Sequence, residues 1–260
     1  MKPVHISYSG LKDWSSCSHY YKLVQLEKLK GFEGNVYTAF GTALHETCKE
    51  KVENVLLDEK KHFDNSFLVT LGDLPESEKK KLDAKMIKSM REQGKDLSSL
   101  ILPSLKGQFG KFELVSAEEE IYEPIEDFKD ESYKFKGFID LVIKTEDGKY
   151  HILDWKTCSW GWDSSKRRDP MITYQLTFYK YYFAKKHNID LKDIETHFGL
   201  LKRTAKKDKV EFFRVTSGPK KISNAINLLT KALYNITKNR FIKNRLSCNN
   251  CPFYKTEHCS

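Results

Sequence analysis

Asp154 and Lys156 stand two positions apart in the apolar run ILDWKT, residues 152–157. Side chains alternate along a strand, so both point the same way and Trp155 points the other. An isolated pair of this kind is most often an ion pair on an edge strand. The preceding segment, YKFKGFIDLVIKT, and the connection TEDGK give it more weight. A three-residue loop of Glu146, Asp147 and Gly148, with Gly148 left-handed, is a common hairpin solution. Thr145 then pairs with Lys149, and counting back sets Asp140 opposite Asp154. A two-residue Asp-Gly turn would instead throw the two aspartates onto opposite faces. In the first register two carboxylates and a lysine converge. Such carboxylates repel unless a proton or a cation lies between them. Mg²⁺ or Mn²⁺, hard ions that take oxygen ligands, suit the position.

The elements that must hold these residues follow from periodicity. Segments 111–125, 133–145, 149–157, 195–204 and 209–216 alternate as strands. Helical spacing marks 38–59, 171–187 and 220–242, and 7–26 reads as a Ser-capped helix running into a transition. A Lys-rich stretch, 76–106, has weak helical periodicity through Leu82, Met86 and Met90 and reads as a helical insertion, bounded at about 60–107. The order helix, strands, helix, strands, helix predicts one α/β domain, 1–260, with a mixed central sheet.

With 260 residues and 39% apolar side chains the chain can bury a sizeable core. No run approaches eighteen apolar residues, and MKPVHISYSG lacks the apolar stretch of a signal peptide. A cytoplasmic protein without membrane contact is expected. Lys and Arg total 45 against 36 acids, and the formal charge of +9 favours a polyanionic partner such as nucleic acid. Basic stretches 164–169 and 202–209 are candidate phosphate contacts, with Trp160 and Trp162 available to stack on bases. Among Glu118, Glu119 and Glu120, Glu119 is the preferred extra metal contact, against a solvated strand end.

Cysteines add a second chemistry. Cys248, Cys251 and Cys259 form CxxC and a third thiol in LSCNNCPFYKTEHCS, and in a reducing compartment clustered thiols point to a metal. Zinc and iron–sulfur both satisfy the spacing. Cys48 and Cys158 have no partner at metal spacing and are expected to be buried apolar residues.

GFID at 137–140 followed by ILDWKT resembles the PD-(D/E)XK nuclease superfamily, with Asp140 as its first acid and Asp154-Trp155-Lys156 as its D/E-X-K element. FGTALHE at 40–46, with His45, and QLTFY at 175–179, with Gln175 and Tyr179, resemble the RecB-like subgroup. The resemblance implies a restriction-endonuclease-like core and a metal-dependent DNA nuclease, with exonuclease action on single-stranded DNA or DNA ends favoured, in recombination, repair or DNA processing. His45, Asp140 and Asp154 would ligate the Mg²⁺ or Mn²⁺, Lys156 would orient water or balance charge, and Gln175 and Tyr179 would contact phosphate or brace Lys156. One early cysteine, Cys17, with Cys248, Cys251 and Cys259 resembles the iron–sulfur subgroup that includes the AddB nuclease domain. This implies a [4Fe-4S] cluster, with Zn²⁺ the alternative, in a module of residues 10–25 and 245–260. A helicase or recombination partner is possible on the same grounds. The alternatives are a structure-selective endonuclease, a CRISPR-adaptation nuclease and a catalytically silent DNA-binding subunit. The last would be expected to lack Asp140, Asp154 or Lys156, and all three are present.

Overall fold

The computed structural model describes residues 5–126, 128, 133–249 and 251–260. β1 (His5–Ser7) runs into α1 (Tyr8–Ser16) and α2 (Ser18–Tyr21), which ends in a π-helical turn. Four helices form one side of the molecule: α3 (Val36–Glu53), α4 (Glu59–Gly72), α6 (Ala84–Ser98) and α7 (Ile101–Phe109), with the single turn α5 (Glu76–Lys79) between α4 and α6. β2 (Phe112–Pro124), β3 (Lys134–Thr145) and β4 (Tyr150–Cys158) follow, then α8 (Ser164–Arg168), α9 (Pro170–His187), β5 (Ile194–Lys202), β6 (Val210–Val215) and α10 (Pro219–Thr237).

The sheet is mixed, as expected. β2–β3, β3–β4 and β5–β6 are antiparallel hairpins, whereas β4 and β5 pair in parallel across the α9 crossover. The hairpin register is the one that the three-residue loop predicts. The Thr145 amide donates to the Lys149 carbonyl at 3.0 Å, and Gly148 sits at φ +83°. β3 is laddered with β2 along one edge and shares its other edge between two partners. β4 pairs with Leu141–Lys144, and β1 pairs in parallel with Lys134–Lys136. Between them, residues 137–140 lie outside both ladders.

Two cores lie on opposite faces. On one, α1, α9 and α10 cover Phe135, Ile139, Val142, Ile152 and Phe198, and Phe135 stacks on Tyr182 with ring centres 4.6 Å apart. On the other, α3, α4, α6 and α7 cover Leu141, Ile143, Leu153 and Trp155. Phe40, Phe63 and Phe67 anchor the second core with centroid distances of 5.3 to 5.7 Å. The segment read as an insertion is therefore the backing of α3. Alternation along β3 slips by one at Asp140, because Ile139 and Val142 belong to the first core while Leu141 and Ile143 belong to the second.

Several expected boundaries moved. The helix read at 38–59 stops at Glu53, where Asn54 leaves helical dihedrals and Asp58 caps α4 by accepting from Lys61 N–H. The N-terminal helix is capped by Ser7 as expected but breaks at extended Cys17. The helix read at 220–242 ends at Thr237, and Asn239 at φ +54° turns the chain back. β1 was not foreseen; three residues are too few for a periodic signal. Among the described residues no helix is long and apolar enough to cross a membrane.

Gly94 on α6 lies against Phe63, and an added Cβ there would stand 2.0 Å from its ring. Alanine mid-helix gains about 1 kcal/mol over glycine, but overpacking costs about 1–3 kcal/mol. Overpacking should win, since fully buried Phe63 is held between Phe40 and Phe67. Gly94→Ala is expected to lower the urea midpoint at unchanged slope; a raised midpoint would show that the aromatic trio yields.

Candidate active site

The β3–β4 ladder ends at Leu141↔Leu153, one pair short of the expected Asp140–Asp154 pair, and beyond it the strands part. β4 continues beside β5 as far as Cys158. The backbone of Trp155, freed from β3, is satisfied by side chains. Its N–H donates to Asp140 Oδ2 at 2.6 Å, and its carbonyl lies 3.0 Å from His45 Nε2. The Trp155 indole turns away into the second core, 2% exposed, beside Phe212. Asp154 and Lys156 share the other side, with Lys156 Nζ 2.5 Å from Asp154 Oδ2.

α3 brings His45 to the fork from above. Its apolar stripe, Phe40, Ala43, Leu44 and Cys48, faces the second core, and His45 falls at the edge of that stripe. Asn35 caps the helix by accepting from the Tyr37 and Thr38 amides, with the Thr38 hydroxyl accepting from Asn35 N–H. His45 Nε2 is 2.9 Å from Asp140 Oδ2, and Nδ1 is 3.9 Å from Glu118 Oε1. One ligand atom from each of His45, Glu118 and Asp140 lies within 4.8 Å of the others. Glu118, and not Glu119, is thus the residue of the acidic run that meets the site. The flanking pairs Ala117↔Leu141 and Glu119↔Ile139 set Glu118 opposite Asp140, and its backbone is left-handed at φ +52°. Glu119 points to the far face and binds Lys186 and His187 of α9.

α9 holds Asp154 from the other side. Gln175 Nε2 donates to Asp154 Oδ1 at 2.6 Å and to the Tyr179 hydroxyl at 3.3 Å. The Tyr179 hydroxyl also hydrogen-bonds the Phe138 backbone. Its ring lies on Gly137, where a Cβ would come within 2.7 Å of it, so this close approach requires glycine. Gln175 therefore braces Asp154, whereas the sequence suggested Lys156.

Electrostatics at the fork are strained without a cation. Burial and the charge of Asp140 push Asp154 up to about 6, against the pull of Lys156. Burial works against charge on His45, but the Asp140 and Glu118 carboxylates push it up to about 11. The carboxylates of Asp154 and Asp140 likewise raise Lys156 against the effect of burial. Among the described residues, Asp154 Oδ2 is a buried acceptor with no aligned hydrogen-bond donor. Its near neighbour is the Lys156 ammonium. The imidazole of His45 with the Glu118 and Asp140 carboxylates is a donor set that fits a hard divalent cation, and Asp154, held by Gln175 and Lys156, lies outside that 4.8 Å group.

The four cysteines also come together. Cys17, at the break after α1, lines one cavity of about 260 Å³ with Cys248, Cys251 and Cys259. None forms a disulfide. The Asn244 amide donates to Cys17 Sγ at 3.3 Å, and Ser18 binds Ile242, so the returning tail is seated on α2. Cys48 is fully buried; Cys158, contrary to expectation, is only half-buried. Of the two indoles expected to stack on bases, Trp160 is 72% exposed but Trp162 is buried against Phe198. The basic stretches are partly spent inside the protein, since Arg167 and Lys202 both pair with Glu211.

A model of the PD-(D/E)XK nuclease superfamily matches residues 5–256. The chain belongs to that superfamily. A crystal structure from Eubacterium rectale that carries a provisional exonuclease assignment is similar in fold, with TM-score 0.59 and 12% identity over 97% of this chain and 88% of that one. The structure of SSO0001 aligns with TM-score 0.42 and 15% identity over 97% of this chain and 85% of that one. No curated protein gives a significant match. Membership accounts for the α/β core with its mixed central sheet.

The raised Asp154 pKa has a thermodynamic sign. A carboxyl that holds its proton more tightly folded than unfolded contributes stability that is full below the ordinary value and lost as pH rises to about 6. Metal-free protein should therefore lose stability across that window in urea titrations. Asp154→Asn should remove the step; an unchanged profile would show that Asp154 is not carrying a disfavoured charge.

Proposed function

We propose that the chain is a divalent-metal-dependent deoxyribonuclease acting on single-stranded DNA or DNA ends, with exonuclease action favoured. The observation that carries this is the fork, where His45, Glu118 and Asp140 meet beside Asp154 and Lys156. Mg²⁺ or Mn²⁺ held by His45, Asp140 and Asp154, with Glu118 in reach, would polarise the scissile phosphate and lower the pKa of a bound water. The protein groups supply the rest. Lys156, cationic beside Asp154, is placed to orient the attacking water and to balance charge gathering on the phosphate oxygens. Gln175 fixes the carboxylate plane of Asp154 by holding Oδ1, while Oδ2 meets the Lys156 ammonium. Tyr179 sets Gln175 and fills the space beside Gly137.

Single-stranded DNA is supported by what flanks the site. Lys134, Lys136 and Phe138 share one face of β3 and lead to Asp140, and Tyr122 of β2 pairs with Lys136 in the same face. Phe138 is 45% exposed and lines a cleft of about 690 Å³ with His45, Lys49 and Glu118. Lys134 lies 4.6 Å over the Tyr122 ring and Lys136 lies 5.4 Å over Phe138. Exposed aromatics interleaved with lysines suit unstacked bases and their backbone, since base–aromatic stacking is indifferent to sequence. Glu120 pairs with Lys136 and offsets part of that charge. The provisional assignment of the Eubacterium rectale relative agrees with the exonuclease preference.

For the cysteine cavity we infer a [4Fe-4S] cluster on Cys17, Cys248, Cys251 and Cys259. The cavity brings four thiols together, a set that zinc and iron–sulfur both accept. The resemblance of the Cys17 and CxxC...C arrangement to the iron–sulfur subgroup supports the cluster. Closing so long a loop gives it a structural role rather than a part in phosphate chemistry.

End-labelled linear and closed circular single-stranded DNA, each with Mg²⁺ or Mn²⁺, test the nuclease. Degradation from linear ends with circles spared is expected; cleavage of circles would favour an endonuclease. Asp140→Ala and Asp154→Ala should abolish cleavage while DNA binding persists, and Lys156→Ala should lose on the order of 10² in rate. Full activity in Asp154→Ala would end the assignment.

Anaerobically purified protein should be brown, and Cys17→Ala or Cys251→Ala should remove both the colour and thermal stability. A colourless sample with one zinc per chain at these cysteines would refute the cluster. An intact cluster in Cys17→Ala would identify a different fourth ligand.

A further inference from the structure

At the far end of the strands that form the fork, the β4–β5 pairing builds a second group of ligating side chains. The parallel register sets His151 beside Glu195 and Leu153 beside His197. His151, Glu195 and His197 therefore occupy one patch on the face covered by α7, on rigid strands rather than loops. His151 Nδ1 lies 3.2 Å from His197 Nε2 and 4.0 Å from Glu195 Oε2, and His197 Nε2 lies 3.8 Å from the same oxygen. Ligands at about 2.0–2.1 Å around a tetrahedral zinc stand about 3.4 Å apart. The three atoms already lie near that spacing.

Neighbouring groups leave these three atoms facing inward. The Thr145 hydroxyl has two acceptors for its single proton, Asp147 Oδ1 at 2.5 Å and the Lys149 carbonyl at 3.2 Å, so toward His151 Nε2 at 3.1 Å it acts as acceptor. This places the His151 proton on Nε2 and leaves the Nδ1 lone pair directed at the cluster. Arg214 engages Glu195 Oε1 at 2.8 Å, which orients Oε2 toward both rings and offsets the carboxylate charge. Outer partners of this kind fix the tautomer and orientation of metal ligands. Phe109, at the end of α7, covers both imidazoles with centroid distances of 4.9 and 5.2 Å. Both rings are buried. Without a metal, His197 Nε2–H can donate to His151 Nδ1; metal binding requires that proton to move to His197 Nδ1.

We propose that His151, His197 and Glu195 form a zinc-binding site separate from the fork, with water completing the coordination. Two imidazoles and one carboxylate favour Zn²⁺ over Mg²⁺, which prefers an all-oxygen set. Bound there, the ion would tie the base of the β3–β4 hairpin, through His151 and Thr145, to β5.

Chelator-stripped full-length protein titrated with ZnCl₂ and then dialysed tests this. Wild type should retain one zinc more than His197→Ala, by metal analysis, and His45→Ala and Cys251→Ala should keep that equivalent. Glu195→Gln, which changes no core ring, should weaken retention at least about tenfold and guards against a His197→Ala chain that fails to fold. The His151 Nδ1 resonance should shift on adding zinc to wild type. Equal zinc in wild type, His197→Ala and Glu195→Gln, or an unmoved His151 Nδ1 signal, would leave a plain imidazole pair and overturn the site. The outcome does not depend on nuclease activity, so failure here and failure of the fork assignment are distinguishable.

Discussion

The parting of β3 from β4 after Leu141 and Leu153 is the constraint from which the rest of the structure follows. A peptide group freed from a ladder inside a protein must find another partner or carry a desolvation cost. At Trp155 both halves of that group are captured by side chains, the amide by Asp140 and the carbonyl by His45. The same contacts that heal the broken ladder bring an acid and an imidazole together. β1 takes over the vacated edge of β3 at Lys134–Lys136, so the gap is only a few residues long. Structure and chemistry share one pair of hydrogen bonds.

Each face of the sheet then contributes one side of the site. The α9 face provides Gln175 and Tyr179, which hold Asp154 and seal the gap at Gly137. The α3 face provides His45 and leaves an open cleft over Asp140 and Phe138. The two sides differ in polarity. The first is apolar apart from its braces, which explains why Asp154 is reluctant to ionise, and the second opens to solvent, where a polyanion can approach.

Local periodicity carried a large part of this into the sequence. The strand alternation of 133–145 and 149–157, with a left-handed glycine at the turn, was enough to place the hairpin in register, and Asp154 and Lys156 share a face for the same reason. Glu118 was not legible. Three consecutive glutamates offer equivalent chemistry, and the choice among them is made by a β2 bulge near Val115 and a left-handed backbone that no residue type announces. The burial of Trp162 depended on Phe198 of β5, which lies beyond α8 and α9 in the chain. The His151–Glu195–His197 group escaped notice because its members are separated by the whole α9 crossover, and only parallel pairing makes them neighbours. Contacts set by hairpins and helix turns are readable from the chain; contacts set by crossovers are not.

α3 rests on the sheet through one core and is backed by α4, α6 and α7, with Phe40 of α3 packed on Phe63 and Phe67 of α4. Proteins open in cooperative units whose free energies lie below that of global unfolding. A helical layer joined to the sheet by side-chain packing has the make-up of such a unit. Its opening would carry His45 away from Trp155 while the hydrogen-bonded sheet and the α9 braces stay in place. Substitutions in that layer would then change how often the site is assembled while leaving the pairing of the sheet intact.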